Sequence, residues 1–384
     1  MVRIVTMLLH DERFSGWTLE DKLTRFHFSK QYLHICKEFG WEPYLYTFHE
    51  AIKEKQVYDI DGLGTIKIFP VTHRFPPFLR FGNDHNSTEI LRELRKDEPD
   101  LVHFHNYYLY SFPYLVRWIK KRMDRPLTTQ SHTYHQSWRR RLPYIASVFQ
   151  LRLADRVFYS YEPETTVYRK LGILDKAVRV PIPAVDPSIF NTEKKSGEGG
   201  LLYVGRVPRP LNAYAEKSPA LLLPILQRLL RRRDVLLTII GDGVGLHYCK
   251  NMVTKLGIQD NVRFRGFIPH RELPRYYQEA ALTLVPLRLE SIDGFFDGSI
   301  QESLACGTPV AAFKSSKRMP LESRFGFLLP SNPEKAAETL SSILSDQQTL
   351  VDLGTKGSAF IRSNCTEEVL KTTLRDEWEG LLKR

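Results

Sequence analysis

A chain of 384 residues with 42% hydrophobic content is long enough to bury two cores of ordinary size, and its composition excludes disordered and fibrous classes. Its 55 basic against 44 acidic residues leave a formal charge of +11, which suits phosphate-bearing partners: nucleic acid, anionic lipid or a phosphorylated acceptor. No apolar run approaches the roughly 20 residues of a membrane span, no signal-peptide pattern opens the chain, and Cys36, Cys249, Cys306 and Cys365 form no paired motif, so a reducing, cytoplasmic location is expected.

In chain order, residues 3–9 predict a strand and residues 23–39 a helix, with Phe28, Tyr32, Ile35 and Phe39 at helical spacing and Gly40 as its stop. Residues 44–48 and 66–71 read as strands. Asp59-Ile60-Asp61 lies between them and is followed by Gly62-Leu63-Gly64, so the acidic pair reads as a turn rather than a metal-binding motif. Residues 90–96 are helical, Pro99-Asp100 leads into a buried strand ending at His105, and residues 127–132 and 157–160 are further strands. His103, His105, His132 and His135 would meet at adjacent parallel strand ends, but no Cys joins them and no metal site is expected. Arg139, Arg140 and Arg141, beside Tyr134 and Trp138, suit contact with an acceptor or peripheral contact with an anionic membrane, whereas Arg231, Arg232 and Arg233 complement a helix C-terminus.

The polar stretch over residues 191–200 predicts a linker, which places one domain at 1–195, a second at 196–365 and a terminal helix at 366–384. The second half alternates strictly, with strands at 201–204, 236–240 and 262–265 and helices at 219–230, 246–256 and 272–279. Such alternation argues an α/β fold, a parallel sheet with helices on both faces and ligands at the carboxyl ends of its strands. Those ends carry Gly205-Arg206, Gly241-Asp242-Gly243 and Gly266-Phe267-Ile268-Pro269. Residues 282–312 then give a strand, a Gly/Asp loop, a short helix and another strand. Ser299 with Glu302 three residues later fits a capping box, so a helix should begin near Ser299 and aim its N–H groups at a pyrophosphate. Glu302 either closes that box or accepts hydrogen bonds from a ribose diol. The last segment, residues 367–382, is amphipathic, with Leu370, Leu374, Trp378 and Leu381 on one side.

The run Glu302, Ala305, Cys306, Gly307, Thr308, Pro309 and Val310 resembles the motif of family 4 retaining glycosyltransferases. The resemblance extends to Pro99 through His105, to the strand ending at His132, to Val185-Asp186 with Phe190, and to Gly326 through Pro330. It departs where Gly294 occupies the place of the family's first carboxylate, eight positions before Glu302. The nearest acids are Glu290, Asp293 and Asp297. Asp293, directly before Gly294-Phe295, is expected to take the missing role.

The resemblance implies a GT-B fold, two Rossmann-like domains facing across a cleft with a C-terminal helix returning to the first. It implies retaining transfer of a hexose from a UDP- or GDP-sugar to a sugar, lipid-linked or phosphorylated acceptor, with no metal and no further cofactor. It assigns His132 and Arg206 to catalysis by motif, Lys217 as the displaced second cation, and Asp293, one position off the family spacing, as the stand-in for the missing carboxylate. To donor binding it assigns Gly205, Gly241, Phe267, Ile268, Gly294, Phe295, Asp297, Gly298, Ser299, Ile300 and Glu302. Arg206 and Lys217, the latter following an insertion, suit a pyrophosphate leaving group. Two other classes fit the same scaffold, a non-catalytic sugar or nucleic-acid binding protein and a nucleotide-sugar epimerase. Nucleic acid is not the favoured partner.

Overall fold

The structure, a computed structural model, describes residues 1–8, 18–24, 28–71, 87–105, 112–130, 147–182, 184–197, 199–208, 217–289, 297–314 and 322–383. The chain divides into two units, Met1–Val180 with Leu370–Arg384, and Pro181–Val369.

In the first unit, β1 (Arg3–Leu8), β2 (Glu42–His49), β3 (Gln56–Ile60), β4 (Gly64–Pro70), β5 (Leu101–Phe104), β6 (Leu127–Gln130), β7 (Arg156–Tyr159) and β8 (Ala177–Arg179) form one sheet. Their order is β3-β4-β2-β1-β5-β6-β7-β8, and every pairing is parallel except that of β3 with β4. Parallel strands need crossover connections, which is why apolar runs and helices alternate along this half. The central strand β5 is buried at all four positions, as expected of a strand with no solvent-facing side. The helix expected over residues 23–39 is described as Leu19–Thr24 and Phe28–Glu38. β3 is an edge strand with alternating exposed and half-buried residues, too weakly apolar to stand out in the sequence. The turn expected at residues 59–61 comes later, because Asp59 and Ile60 pair with Thr65 and Gly64 before the chain reverses.

Beneath this sheet lies a buried aromatic and histidine cluster. Tyr32 donates its hydroxyl to Gln130 and stacks on His103, with ring centroids 5.0 Å apart, while His105 meets His103 edge-on at 4.7 Å. His103 Nδ1 lies 2.8 Å from Thr128 Oγ1. Burial pushes the His103 pKa down to about 3, a shift that the Gln130 hydrogen bond only partly offsets, so the ring is neutral at neutral pH. Among the described residues no group of three or more His, Cys, Asp or Glu side chains is placed to hold a metal ion. His132 and His135 lie outside the described residues. The helix Glu367–Leu382 buries Leu370, Leu374, Trp378 and Leu381, and Trp378 stacks on Trp41 at 6.2 Å and lies 5.6 Å from His103. Lys371 pairs with Glu38 at 2.5 Å, and Arg156 with Glu377.

In the second unit, β9 (Gly199–Val204), β10 (Leu237–Ile240), β11 (Val262–Gly266), β12 (Ala280–Leu289), β13 (Val310–Lys314), β14 (Glu322–Ser323) and β15 (Gly326–Leu329) form a sheet ordered β11-β10-β9-β12-β13-β15-β14. Only β14 runs antiparallel to its neighbour. Chain order reverses between β9 and β12, so a switch point opens at their carboxyl ends. β12 carries Pro286, and its register with β13 shifts between Val285 and Arg288, because proline has no N–H to offer the ladder. Residues 181–195, expected with the first domain, group with this unit for a physical reason. Lys195 Nζ donates to Ala280 O at 2.5 Å and to Thr308 Oγ1 at 2.8 Å, the Ser196 and Gly197 amides donate to Gln278 O, and the Gln278 side chain donates to Asn191 O. The polar composition read as a linker thus serves hydrogen bonds to the second unit. Among the described residues no helix is long and apolar enough to cross a membrane.

The neutral His103 makes stability depend on pH. Its folded pKa of about 3 lies below the ordinary 6.5, so as pH falls the unfolded chain takes up a proton first. The stability this contributes is present above 6.5 and is lost towards 3, by about 1.4 kcal/mol per pH unit. Urea unfolding at pH 7 and pH 5 should therefore find the gap between parent and His103→Gln narrowed by about 2 kcal/mol at the lower pH. An unchanged gap would mean that the fold does not hold the ring neutral.

Candidate functional site

Three strand-end loops of the second unit are tied to one another. The Gly205 amide donates to Ile240 O at 3.0 Å, the Gly241 amide to Gly266 O at 2.7 Å, and the Val207 amide to Asp242 O at 2.8 Å. Gly241 takes φ 125°, and a Cβ there would stand 1.9 Å from the Gly205 carbonyl oxygen, so the two loops approach this closely only because residue 241 has no side chain. Tyr203, buried at the end of β9, brings its hydroxyl within 2.5 Å of Arg206 O and 2.9 Å of Lys217 O. Burial raises its pKa, so the phenol stays a donor. One side chain thereby clamps both flanks of the insertion, whose residues 209–216 lie outside the described residues. Nothing in an apolar strand run distinguishes such a tyrosine from a purely packing one.

Beyond β12, Asp297 caps the helix Gly298–Ala305. Its Oδ1 accepts from the Ser299 amide at 3.1 Å and the Ser299 hydroxyl at 2.6 Å, and its Oδ2 accepts from Lys217 Nζ at 3.1 Å. Burial alone would raise this carboxyl's pKa. The Lys217 charge and the hydrogen bonds from Ser299 and Lys217 outweigh that and hold it below the usual carboxylate value. Asp297 adopts φ 72°, which a residue with a Cβ rarely does and which a short polar side chain tolerates best. An anionic cap with a cation bound to it thus occupies the positive end of the helix.

The capping box expected between Ser299 and Glu302 is not formed. An ionised aspartate one step before Gly298 is a stronger acceptor than a serine hydroxyl, and it takes the N-cap position. Glu302, buried, turns instead to two other donors. Its Oε1 lies 2.8 Å from His270 Nε2, and its Oε2 accepts from the Tyr277 hydroxyl at 2.8 Å. The reading of Glu302 as merely the second half of a cap is therefore corrected. Each carboxylate oxygen keeps a further lone pair for a ligand. The helix is fixed from below by Ser303, whose hydroxyl lies 2.7 Å from Thr283 Oγ1 on β12. His270 and Tyr277 are site residues that the sequence did not reveal. Their only signal was a place in and after the loop that ends β11.

Of the expected site residues, Gly205, Arg206, Lys217, Gly241, Asp297, Gly298, Ser299, Ile300 and Glu302 gather around the switch point. Phe267, half exposed, and Ile268 follow β11 on the way to His270. His132, Glu290, Asp293, Gly294 and Phe295 lie outside the described residues, as do Arg139, Arg140 and Arg141.

Residues 186–360 match the family model of glycosyl transferases group 1, and residues 36–189 that of Glycosyltransferase Family 4. The chain belongs to the group 1, family 4 retaining glycosyltransferases. A D-inositol 3-phosphate glycosyltransferase of Thermobifida fusca is 31% identical over 181 residues, 42% of this chain and 39% of the relative, so the match spans about two-fifths of that relative's length. A sucrose-phosphate synthase from Thermosynechococcus elongatus superposes with a TM-score of 0.71 at 15% identity, over 100% of both chains. Anabaena HepE, in complex with UDP and glucose, does so with a TM-score of 0.69 at 15% identity, over 99% of this chain and 100% of that one. At such identity the likeness is one of fold. This family member has the GT-B fold, two parallel Rossmann-like sheets with C-terminal helices.

Asp297→Ala should cost about 1–2 kcal/mol of stability, because it removes the cap and leaves a Cβ at positive φ without the polar group that compensates it. Asp297→Asn, which keeps an accepting oxygen, should cost less than half as much. Chemical unfolding of the two variants checks this, and equal stability of Asp297→Ala and parent would remove Asp297 as the cap.

Proposed function

We propose that this chain is a hexosyltransferase that moves a hexose from a nucleotide-diphosphate sugar, with retention, to a sugar, lipid-linked or phosphorylated acceptor. The observation that carries this reading is the pairing of Lys217 with Asp297 at the N-terminus of the helix Gly298–Ala305, one strand away from Arg206. As the glycosidic bond breaks, negative charge accumulates on the departing diphosphate. Two cations and a helix N-terminus, preorganised at the same strand ends, stabilise that charge more than they stabilise the bound donor. In the free protein Asp297 occupies Lys217, and the diphosphate competes for it. Glu302, oriented by His270 and Tyr277, accepts hydrogen bonds from the ribose diol. His132, at the family's position, and Asp293, in place of the family's missing carboxylate, hold the sugar hydroxyls. Because protein cations do the charge neutralising, the reaction needs no metal, and turnover survives treatment with a chelator. Arg139, Arg140 and Arg141 bring the enzyme to an anionic membrane at its cytoplasmic face, where a lipid-linked acceptor would be met.

The test is a panel of UDP-glucose, UDP-galactose and GDP-mannose. A ligand at a hundred times its dissociation constant stabilises the fold by about 2.7 kcal/mol, so the right donor raises the melting temperature in a base-selective way. Stabilisation by none of the three, together with no hexose transfer, would refute the reading.

With the true donor, Lys217→Ala and Arg206→Ala should lower kcat more than they raise KM, whereas Glu302→Gln should weaken donor binding in a protein that remains folded. Steady-state kinetics and calorimetry separate the two effects, and normal kcat in both cation variants would end their role. Asp293→Asn should cost about 2–4 kcal/mol of transition-state stabilisation, read from kcat/KM, against well under half of that for Glu290→Gln.

A further inference from the structure

The second unit carries a cleft at the opposite, amino-terminal edge of its sheet. Its volume is about 590 Å³. It is walled by the segment from Thr192 to Gly197, by the turn from Gly307 to Pro309 that follows the site helix, and by the helix Gln347–Asn364, with Ala281 near the start of β12 at its floor. We propose that this cleft binds a small, hydroxylated phosphomonoester, at a site separate from the switch point.

Two cations line it and no acidic residue does. Lys195 Nζ has three N–H donors and spends two, on Ala280 O and Thr308 Oγ1, both neutral acceptors. The third remains for an incoming oxygen. Arg362 donates to Ser358 Oγ at 3.2 Å and keeps the rest of its planar fork. Among the described residues neither cation forms an ion pair. Burial lowers the Lys195 pKa to about 8, a shift that the neighbouring Cys306 only partly opposes, so the fold carries a charge that it does not compensate. A dianionic phosphate supplies that compensation and matches the count of two cations. Thr192, Ser196 and Thr355 add hydroxyls along the wall, which suit a polyol. The cleft is of small-molecule size, but no aromatic ring lines it to stack a base, so a sugar phosphate fits it better than a nucleotide.

The experiment is calorimetry with glucose 6-phosphate, inorganic phosphate and glucose on the parent, Arg362→Gln, Ala359→Trp, Lys195→Met and Lys217→Ala. Arg362 and Ala359 lie on the exposed side of their helix, so their variants carry the test even if Lys195→Met fails to fold. Glucose 6-phosphate should bind the parent saturably and more tightly than inorganic phosphate, and glucose should not bind. Arg362→Gln should weaken the ester at least tenfold, Ala359→Trp should abolish its binding by filling the cleft, and Lys217→Ala should leave it unchanged. Binding that survives Arg362→Gln and Ala359→Trp but disappears in Lys217→Ala would place the ester at the switch point and overturn the proposal. So would the absence of saturable binding, and equal affinity for inorganic phosphate would overturn the assignment to an ester. Because Lys217 is varied separately, this test stands or falls apart from the transferase reading.

Discussion

A single carboxylate holds the candidate site together. Asp297 caps the helix Gly298–Ala305 and is the counter-ion of Lys217. It does so in a left-handed conformation, a local strain on the order of 1–3 kcal/mol that persists only where surrounding contacts over-determine it. Those contacts are three hydrogen bonds to an ionised carboxylate, one of them also an ion pair. The same atoms that terminate an element therefore position a cation. Tyr203 completes the arrangement from the other strand by holding the backbone on which Lys217 and Arg206 stand.

Glu302 follows the same logic one turn further into the helix. A buried carboxylate with a single partner would be free to swing. With His270 on one oxygen and Tyr277 on the other, its plane is set before any ligand arrives. The helix that carries it is only about 12 Å long at 1.5 Å per residue. It is anchored at both ends, by Asp297 at the front and, at the back, by Ser303 against β12 and Thr308 against the Tyr277 carbonyl. Lys195 joins that rear anchor through the Thr308 hydroxyl. The carboxyl-edge site and the amino-edge cleft are thus the two ends of one short, tightly held element.

Much of the architecture was legible from periodicity. The helix at residues 246–256 occupies the span its spacing indicates, the terminal helix buries the four residues of its apolar stripe, and strict alternation after residue 200 produced a parallel sheet with its switch point between β9 and β12. These features depend on neighbours three or four positions apart, or on runs of apolar residues, so one stretch of chain contains all the information. β3 escaped because an edge strand needs little apolar content once its partner supplies the hydrogen bonds.

The amino-acid sequence by itself determined which residue types reach the strand ends: the glycines, Arg206, Asp297 and Glu302. Which donor meets which acceptor was decided only by the tertiary structure. Ser299 and Glu302 satisfy a local capping pattern, yet Glu302 pairs with a histidine 32 positions away, and Asp297 with a lysine 80 positions away. A charged oxygen in a buried setting takes the strongest donors within reach, and reach is a property of the folded sheet that no local spacing records.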